Sequence, residues 1–195
     1  MRPARRDTRT DILDLAERLF HDRGFNGFSY ADIAGELGIK SAAVHYHFPS
    51  KTDLGVALIE RIRAFIQYNL HRLETEDRDP AAAIEAYCQY YRQHLCQERH
   101  SICAVGLLAA ELTTMSEEMR AQARGLAADV HTLITRVLEQ GLARGVMRFT
   151  GQPAERAVAV MSALGGAAQY ARLADNPDYL ETTITQIRRD LGLFH

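Results

Sequence analysis

The sequence predicts an all-α protein of about nine helices: an N-terminal three-helix helix-turn-helix domain, then a second helical domain. Three observations carry that reading. Apolar residues recur at helical spacing in segment after segment, glycine and proline punctuate the ends of those segments, and no stretch alternates convincingly as a strand.

The elements follow in order. Ile12, Leu15, Ala16, Leu19 and Phe20 form the inward stripe of a first helix, which ends at Gly24. Ser29 caps a short second helix, Asp32 sits in its first turn near the positive helix end, and Ile33, Ala34 and Leu37 share one face. Gly38 stands where the chain must turn sharply and takes a positive φ without strain. The third helix carries Lys40, Ser41, His45 and Tyr46, polar groups suited to phosphates and base edges, while Ala42, Ala43 and Val44 keep it slim. Phe48-Pro49 ends it, because the residue before proline is pushed out of helical geometry. Short helix, glycine turn, short helix and hard stop make the layout of a helix-turn-helix, whose second helix lies in the major groove of DNA. The same pattern also occurs in plain helical bundles.

Ser50 caps a fourth helix marked by Leu54, Leu58, Ile62 and Phe65, which runs to about Leu73 and breaks in the polar Glu74–Asp79 stretch. Pro80 opens the fifth, where a missing N–H costs nothing, and this helix extends towards Gln97. After a break at Glu98–Ser101, a short helix is expected from Ile102 to Leu112, with Ser101 as its cap. From Ser116 onward, Met119, Ala123, Leu126, Val130, Ile134, Val137, Leu138 and Leu142 trace a long amphipathic helix closing near Gly145. The last two helices span Pro153–Leu173 and Asp178–Leu191. The expected domains are 1–50 with the helix-turn-helix, 51–79 as connecting helix and linker, and 80–195 as a second helical domain.

Arg9 to Phe20, Gly24-Phe25, Ser29-Tyr30-Ala31-Asp32-Ile33-Ala34, Leu37-Gly38-Ile39 and Val44 to Lys51, followed by Leu54, closely resemble the N-terminal domain of the tetracycline-repressor (TetR/AcrR) family. The segments come in that family's order and at its spacings. The resemblance implies that Lys40, Ser41, His45, Tyr46 and Lys51 touch double-stranded operator DNA. Lys51 and Tyr46 are expected on phosphates, which position without reading sequence, and Lys40 and Ser41 on base edges. Ala42 and Ala43 suit thymine methyls. Ser29 and Tyr30 complete the expected DNA face, and Tyr30 serves equally well as a packing residue. The resemblance further implies that the fourth helix joins the two domains and transmits the signal by its tilt, and that 80–195 is a helical ligand-binding and dimerisation domain for effector binding and pairing.

Composition agrees with a regulator of this kind. With 195 residues, 47% of them hydrophobic, the chain can bury one core or two small ones. No apolar run is long enough to span a bilayer, the arginines at the start have no apolar core behind them as a secretory signal would, and three cysteines without a paired framework suit a reducing cytoplasm. A net charge of −2 does not exclude nucleic acid, since binding needs only a local basic surface. Arg2, Arg5, Arg6 and Arg9 make such a surface, either as an arm along DNA or as a solvated tail.

The effector side of the chain is read from fewer signals. Cys103, with Glu111-Leu112 and Ser116 to Arg120 after it, resembles a subgroup of the family with a cysteine at the start of the sixth helix, some of whose members sense electrophiles or oxidants. A thiol near a helix N-terminus sees the positive end of the dipole, which favours the thiolate, and Arg99 and His100 add to that. Ser101-Ile102 departs from the small flanking residues of that pattern, and a buried, inert Cys103 is the alternative. Tyr87, Tyr90, Tyr91, Leu107, Met115, Met161 and Tyr170 are expected to line a pocket for a small, largely apolar effector, or else simply to pack. His94, Cys96, His100 and Cys103 are soft ligands, but their irregular spacing across a helix break does not make a zinc site; no metal or cofactor is expected.

Two faces bear on assembly. Val158, Met161, Leu164, Gly165 and Ala168 form one, and Tyr179, Leu180, Ile184 and Ile187 the other. They either pair with their copies in a homodimer, as the resemblance implies, or finish the chain's own core. A short recognition helix contacts few bases, so two-fold pairing on a palindromic operator is favoured. No nucleophile–base constellation, phosphate loop or cofactor fingerprint supports an enzyme. The expected function is a ligand- or electrophile-responsive transcriptional repressor; an activator, or a helical binding module that merely carries the motif, are the alternatives.

Overall fold

A computed structural model of the chain describes residues 7–76, 78–96 and 104–193, and nine α-helices lie among them with no strand. They are α1 (Thr8–Arg23), α2 (Tyr30–Leu37), α3 (Ser41–His47), α4 (Lys51–Thr75), α5 (Pro80–Cys96), α6 (Ala104–Ala110), α7 (Glu117–Ala143), α8 (Pro153–Leu173) and α9 (Asp178–Asp190). The order and type of elements match the expectation. Two 3-10 turns, Phe25–Gly27 and Leu112–Thr114, were not foreseen, and Leu112 belongs to the second of them rather than to α6.

Packing does not follow chain order. One compact unit comprises the described residues of Met1–Ile62 together with Ala104–Gly125; the other comprises those of Arg63–Cys103 with Leu126–His195. Thus α6 and the start of α7 pack with the N-terminal helices, although the sequence places them within 80–195.

In the first unit, α1 turns Ile12, Leu15, Ala16, Leu19 and Phe20 inward, where they meet Ile33, Val44, Phe48, Leu54 and Leu58 in a core closed to solvent. Burying each large apolar side chain contributes roughly 1.5–3 kcal/mol, which is what fixes three short helices that would not persist alone. Local chemistry sets their ends. The Ser29 hydroxyl accepts from Asp32 N–H at 3.3 Å while the Asp32 carboxylate accepts from Ser29 N–H at 2.7 Å, a reciprocal cap. Ser50 and Asp53 repeat that arrangement at the start of α4, at 3.2 and 2.8 Å. Gly38 closes α2 at φ 65°, and the Ile39 N–H reaches back to the Ala34 carbonyl at 3.0 Å.

In the second unit, α8 packs on α9 and on α5. Here the structure corrects an expectation: Leu164, Leu180, Ile184 and Ile187, assigned above to dimer faces, are buried in the protomer's own core, Ile184 with no exposure at all. They belong to the face that α8 and α9 turn towards each other. A carboxylate–guanidinium network ties α5 to α9: Glu85 accepts from Arg188 Nε at 3.0 Å and from Arg92 Nη1 at 3.1 Å, and Arg92 grips Glu181 through two contacts of 2.7 Å. The Arg188 guanidinium holds the Glu85 carboxyl below its ordinary value, and Arg92 does the same for Glu181.

Candidate nucleic-acid interface

Helix α3 is seven residues long and presents a single inward side chain of consequence. Val44 has no exposure, and Phe48, just past the helix, is buried with it. The opposite face is open: Ser41, Ala42, His45 and Tyr46 are exposed, Tyr46 to 82%, and Ala43 is half-buried at the edge. Lys40 is exposed but lies one residue before the helix, as its N-cap, in extended geometry and without a side-chain capping bond. His45 meets the Tyr30 ring edge-on at 4.7 Å, and its Nδ1 stands 3.4 Å from the Pro49 carbonyl, which can only accept.

Three of the expected DNA residues make contacts within the chain. The Ser29 hydroxyl is engaged with Asp32 as the α2 cap, donating to its carboxylate at 2.6 Å. Tyr30 places its hydroxyl 2.9 Å from the Phe48 carbonyl and 2.5 Å from the Ser50 carbonyl, clasping the segment after α3 to the start of α2. Burial, and then the Asp53 charge, push its phenol up to about 12, so it remains a neutral donor. Lys51, expected on a phosphate, turns inward: its ammonium donates to the Phe28 carbonyl and lies 4.8 Å from the ring centroids of both Phe25 and Phe28. Loss of hydration lowers its pKa from the ordinary value, a shift that the nearby charges of Glu111 and Asp32 oppose. The open polar surface of α3 and its approach is therefore Lys40, Ser41, Ala42, His45 and Tyr46.

This geometry has relatives. Residues 12–58 match the family model described as bacterial regulatory proteins, tetR family, and residues 80–186 match the C-terminal domain of LmrA/YxaF-like transcriptional regulators. A crystallised TetR-family transcriptional regulator from Agrobacterium tumefaciens superposes with a TM-score of 0.82 at 32% identity, covering 94% of this chain and 97% of the other. The chain belongs to the tetR family. The transcriptional repressor NemR of Escherichia coli (strain K12) is 28% identical over 93% of this chain and 92% of its own. The crystal structure of Escherichia coli NemR in its reduced form gives a TM-score of 0.83 at 27% identity, over 95% and 97% of the two chains. As a tetR-family member the protein is a DNA-binding transcription regulator and not an enzyme.

The effector residues expected of this family member are distributed over both units. Tyr87, Tyr90 and Tyr91 form an edge-to-face cluster on α5, with centroids 5.4 and 5.7 Å apart and the Tyr87 and Tyr91 hydroxyls at 3.4 Å. Met161 is half-buried in the same unit. Leu107 and Met115 are buried in the other unit, so neither unit contains the full expected lining. Tyr170 is no pocket residue within the protomer: it is 62% exposed and stacks on Tyr179 at 6.1 Å. Two open clefts, of about 550 Å³ beside Arg9, His47, Asp53 and Glu118, and of about 230 Å³ beside Glu85 and Arg188, are lined by none of the expected effector residues. Cys103, with Arg99, His100 and Ser101, lies outside the described residues, as do Arg2, Arg5 and Arg6 of the basic arm and the side chains of His94 and Cys96. Cys88 is described, and is buried; desolvation pushes its thiol up to about 11, which leaves it protonated and unreactive. No cluster of potential metal ligands occurs among the described residues, and no described helix is long and apolar enough to cross a membrane.

The other residues expected at a dimer face are less buried. Val158 and Tyr179 are exposed, Met161, Gly165 and Ala168 are half-buried, and Leu173 at the end of α8 is 85% exposed. Sequence reasoning named Glu111 only within a subgroup resemblance and missed its partners Phe25 and Asn26, 86 and 85 positions away, a separation at which no local pattern signals a contact.

Proposed function

We propose that the protein is a homodimeric transcriptional repressor that releases a palindromic operator when a small molecule or electrophile acts on its 80–195 region. The observation that carries this reading is the division of α3 into a buried Val44 side and an open face of Ser41, Ala42, His45 and Tyr46, with Lys40 at its approach. Lys40 and Ser41 are assigned to base edges and Tyr46 to a phosphate. Dimerisation is supported by the outward Val158, Tyr170, Leu173 and Tyr179 of α8 and α9, large apolar groups of the kind a partner covers. Small residues at Gly165 and Gly166, where a Cβ would meet nothing, leave room for close helix approach. Two-fold pairing then requires a palindromic site. Repression is the role of the NemR relative.

For the signal, Cys103 precedes α6 directly in sequence, and the solved NemR relative is described as a reduced form, which supports a thiol-based response. The tyrosine cluster on α5 supports a second reading, a reversible apolar inducer that acts without the thiol. In either case the effector must favour the DNA-incompetent form by a few kcal/mol, roughly 1–3, and the uninterrupted α4 would carry the change.

The deciding experiment is fluorescence anisotropy on a labelled duplex from upstream of the protein's own gene, before and after N-ethylmaleimide. Cys88 is buried and protonated, so the reagent reports on Cys96 and Cys103. Tight, salt-sensitive binding that the reagent abolishes in the parent but not in Cys103→Ser is the expected result. Binding indifferent to alkylation would remove the thiol and leave the reversible inducer.

A further inference from the structure

Glu111 follows α6 by one residue, yet its carboxylate closes on the turn that links α1 to α2. Its Oε2 accepts the Phe25 N–H at 2.9 Å and its Oε1 the Asn26 N–H at 3.3 Å. Alongside, the Asn26 side-chain amide donates to Thr114 Oγ1 at 2.8 Å, and that hydroxyl donates to the Glu111 carbonyl at 2.8 Å. Gly24 admits the carboxylate: it sits at φ 75°, and a Cβ built there would collide with Glu111 Oε1.

The pinned turn supports both ends of the helix-turn-helix. Phe25 and Phe28 are the two rings that hold the Lys51 ammonium, and Lys51 opens α4 directly after the α3 stop. Phe28 leads into the Ser29 cap of α2, and Tyr30 beside it clasps the Phe48 and Ser50 carbonyls. Glu111 thus reaches the start of α2 directly through the turn, and the far end of α3 through Lys51. Hydrogen bonds to a charged acceptor are stronger than neutral ones, which favours a single conformation of this short turn.

We propose that Glu111 is a positioning residue for DNA recognition: its carboxylate pins the Phe25–Asn26 turn so that α2 and α3 are presented as one body, and α6 thereby sets operator affinity. This rests on the DNA-binding reading of α3.

The test begins by letting the full-length wild-type protein select a duplex from a random-sequence pool. Affinity for that selected duplex is then measured by anisotropy for the wild type, Glu111→Gln, Thr114→Val and Ile59→Val, well below every unfolding midpoint. Ile59 is a core residue of the same unit and controls for plain loss of stability. Glu111→Gln should weaken binding about tenfold and speed amide exchange at Phe25 and Asn26, with Thr114→Val shifting both in the same direction by less. Ile59→Val should lower the midpoint and leave affinity unchanged. Wild-type affinity in Glu111→Gln, or a loss no greater than that of Ile59→Val, would overturn the role of Glu111 and leave DNA binding intact. If the wild type selects no duplex, the DNA-binding reading itself fails, and this inference with it.

Discussion

Helices α3 and α8 each bury one face and leave the other to solvent, but what they leave differs in kind. On α3 the open residues are Ser41, Ala42, His45 and Tyr46, polar or small, around a single buried Val44. On α8 the buried side is a full core stripe of Ala157, Val160, Leu164, Ala167 and Ala171, while the open side keeps Val158, Tyr170 and Leu173. A polar open face stays hydrated until a charged partner displaces the water, whereas large exposed apolar groups gain when another apolar surface covers them. The two regions are also held differently. Both have a buried apolar core, to which the helix-turn-helix adds caps and the Tyr30 and Lys51 clasps and the α5–α9 pair a guanidinium network.

That contrast can be broken or sharpened by experiment. The largest effect is expected from Ile184→Ala, which empties a site closed to solvent in the second unit and should cost about 2–5 kcal/mol in chemical denaturation. Leu173→Ser, at the 85% exposed end of α8, should by comparison shift monomer stability by no more than about 0.5 kcal/mol yet weaken self-association in sedimentation. Equal destabilisation by the two would show that α8 has no free face. A smaller effect, about 0.5–1.5 kcal/mol, is expected from Tyr30→Phe, which removes the donor to the Phe48 and Ser50 carbonyls. A variant as stable as its parent would mean that water replaces the clasp without cost.

The smallest effect is that of acid. Asp32 and Asp53 are held below their ordinary value of 3.8 by their bonds from Ser29 and Ser50. A depressed folded pKa means that their contribution is complete above the ordinary value and is lost as pH falls through the folded one. Glu85 and Glu181, held below 4.5 by Arg188 and Arg92, behave in the same sense. Melting followed from about pH 5 to about pH 3 should therefore show a falling midpoint. A midpoint that rises with acidification would show that these carboxylates are not stabilised in the folded chain.

Sequence alone determined the succession of helices, because each is written in local chemistry: a 3.6-residue apolar stripe, Ser29 and Ser50 as caps, the Gly38 turn and Pro80 and Pro153 at helix starts. It did not separate the buried Val44 from Ala42 and Ala43, with which Val44 shares only a small apolar side chain. Only tertiary structure decided which apolar faces were internal. Leu164, Leu180, Ile184 and Ile187 looked available to a partner because periodicity marks a face as apolar without naming what covers it. For the same reason Leu107 and Met115 read as companions of the α5 tyrosines but pack in the other unit. Long-range polar partners were equally hidden. The inward turn of Lys51 and the grip of Glu111 on a turn 86 positions earlier depend on where the chain returns in space, which side-chain type and local spacing do not encode.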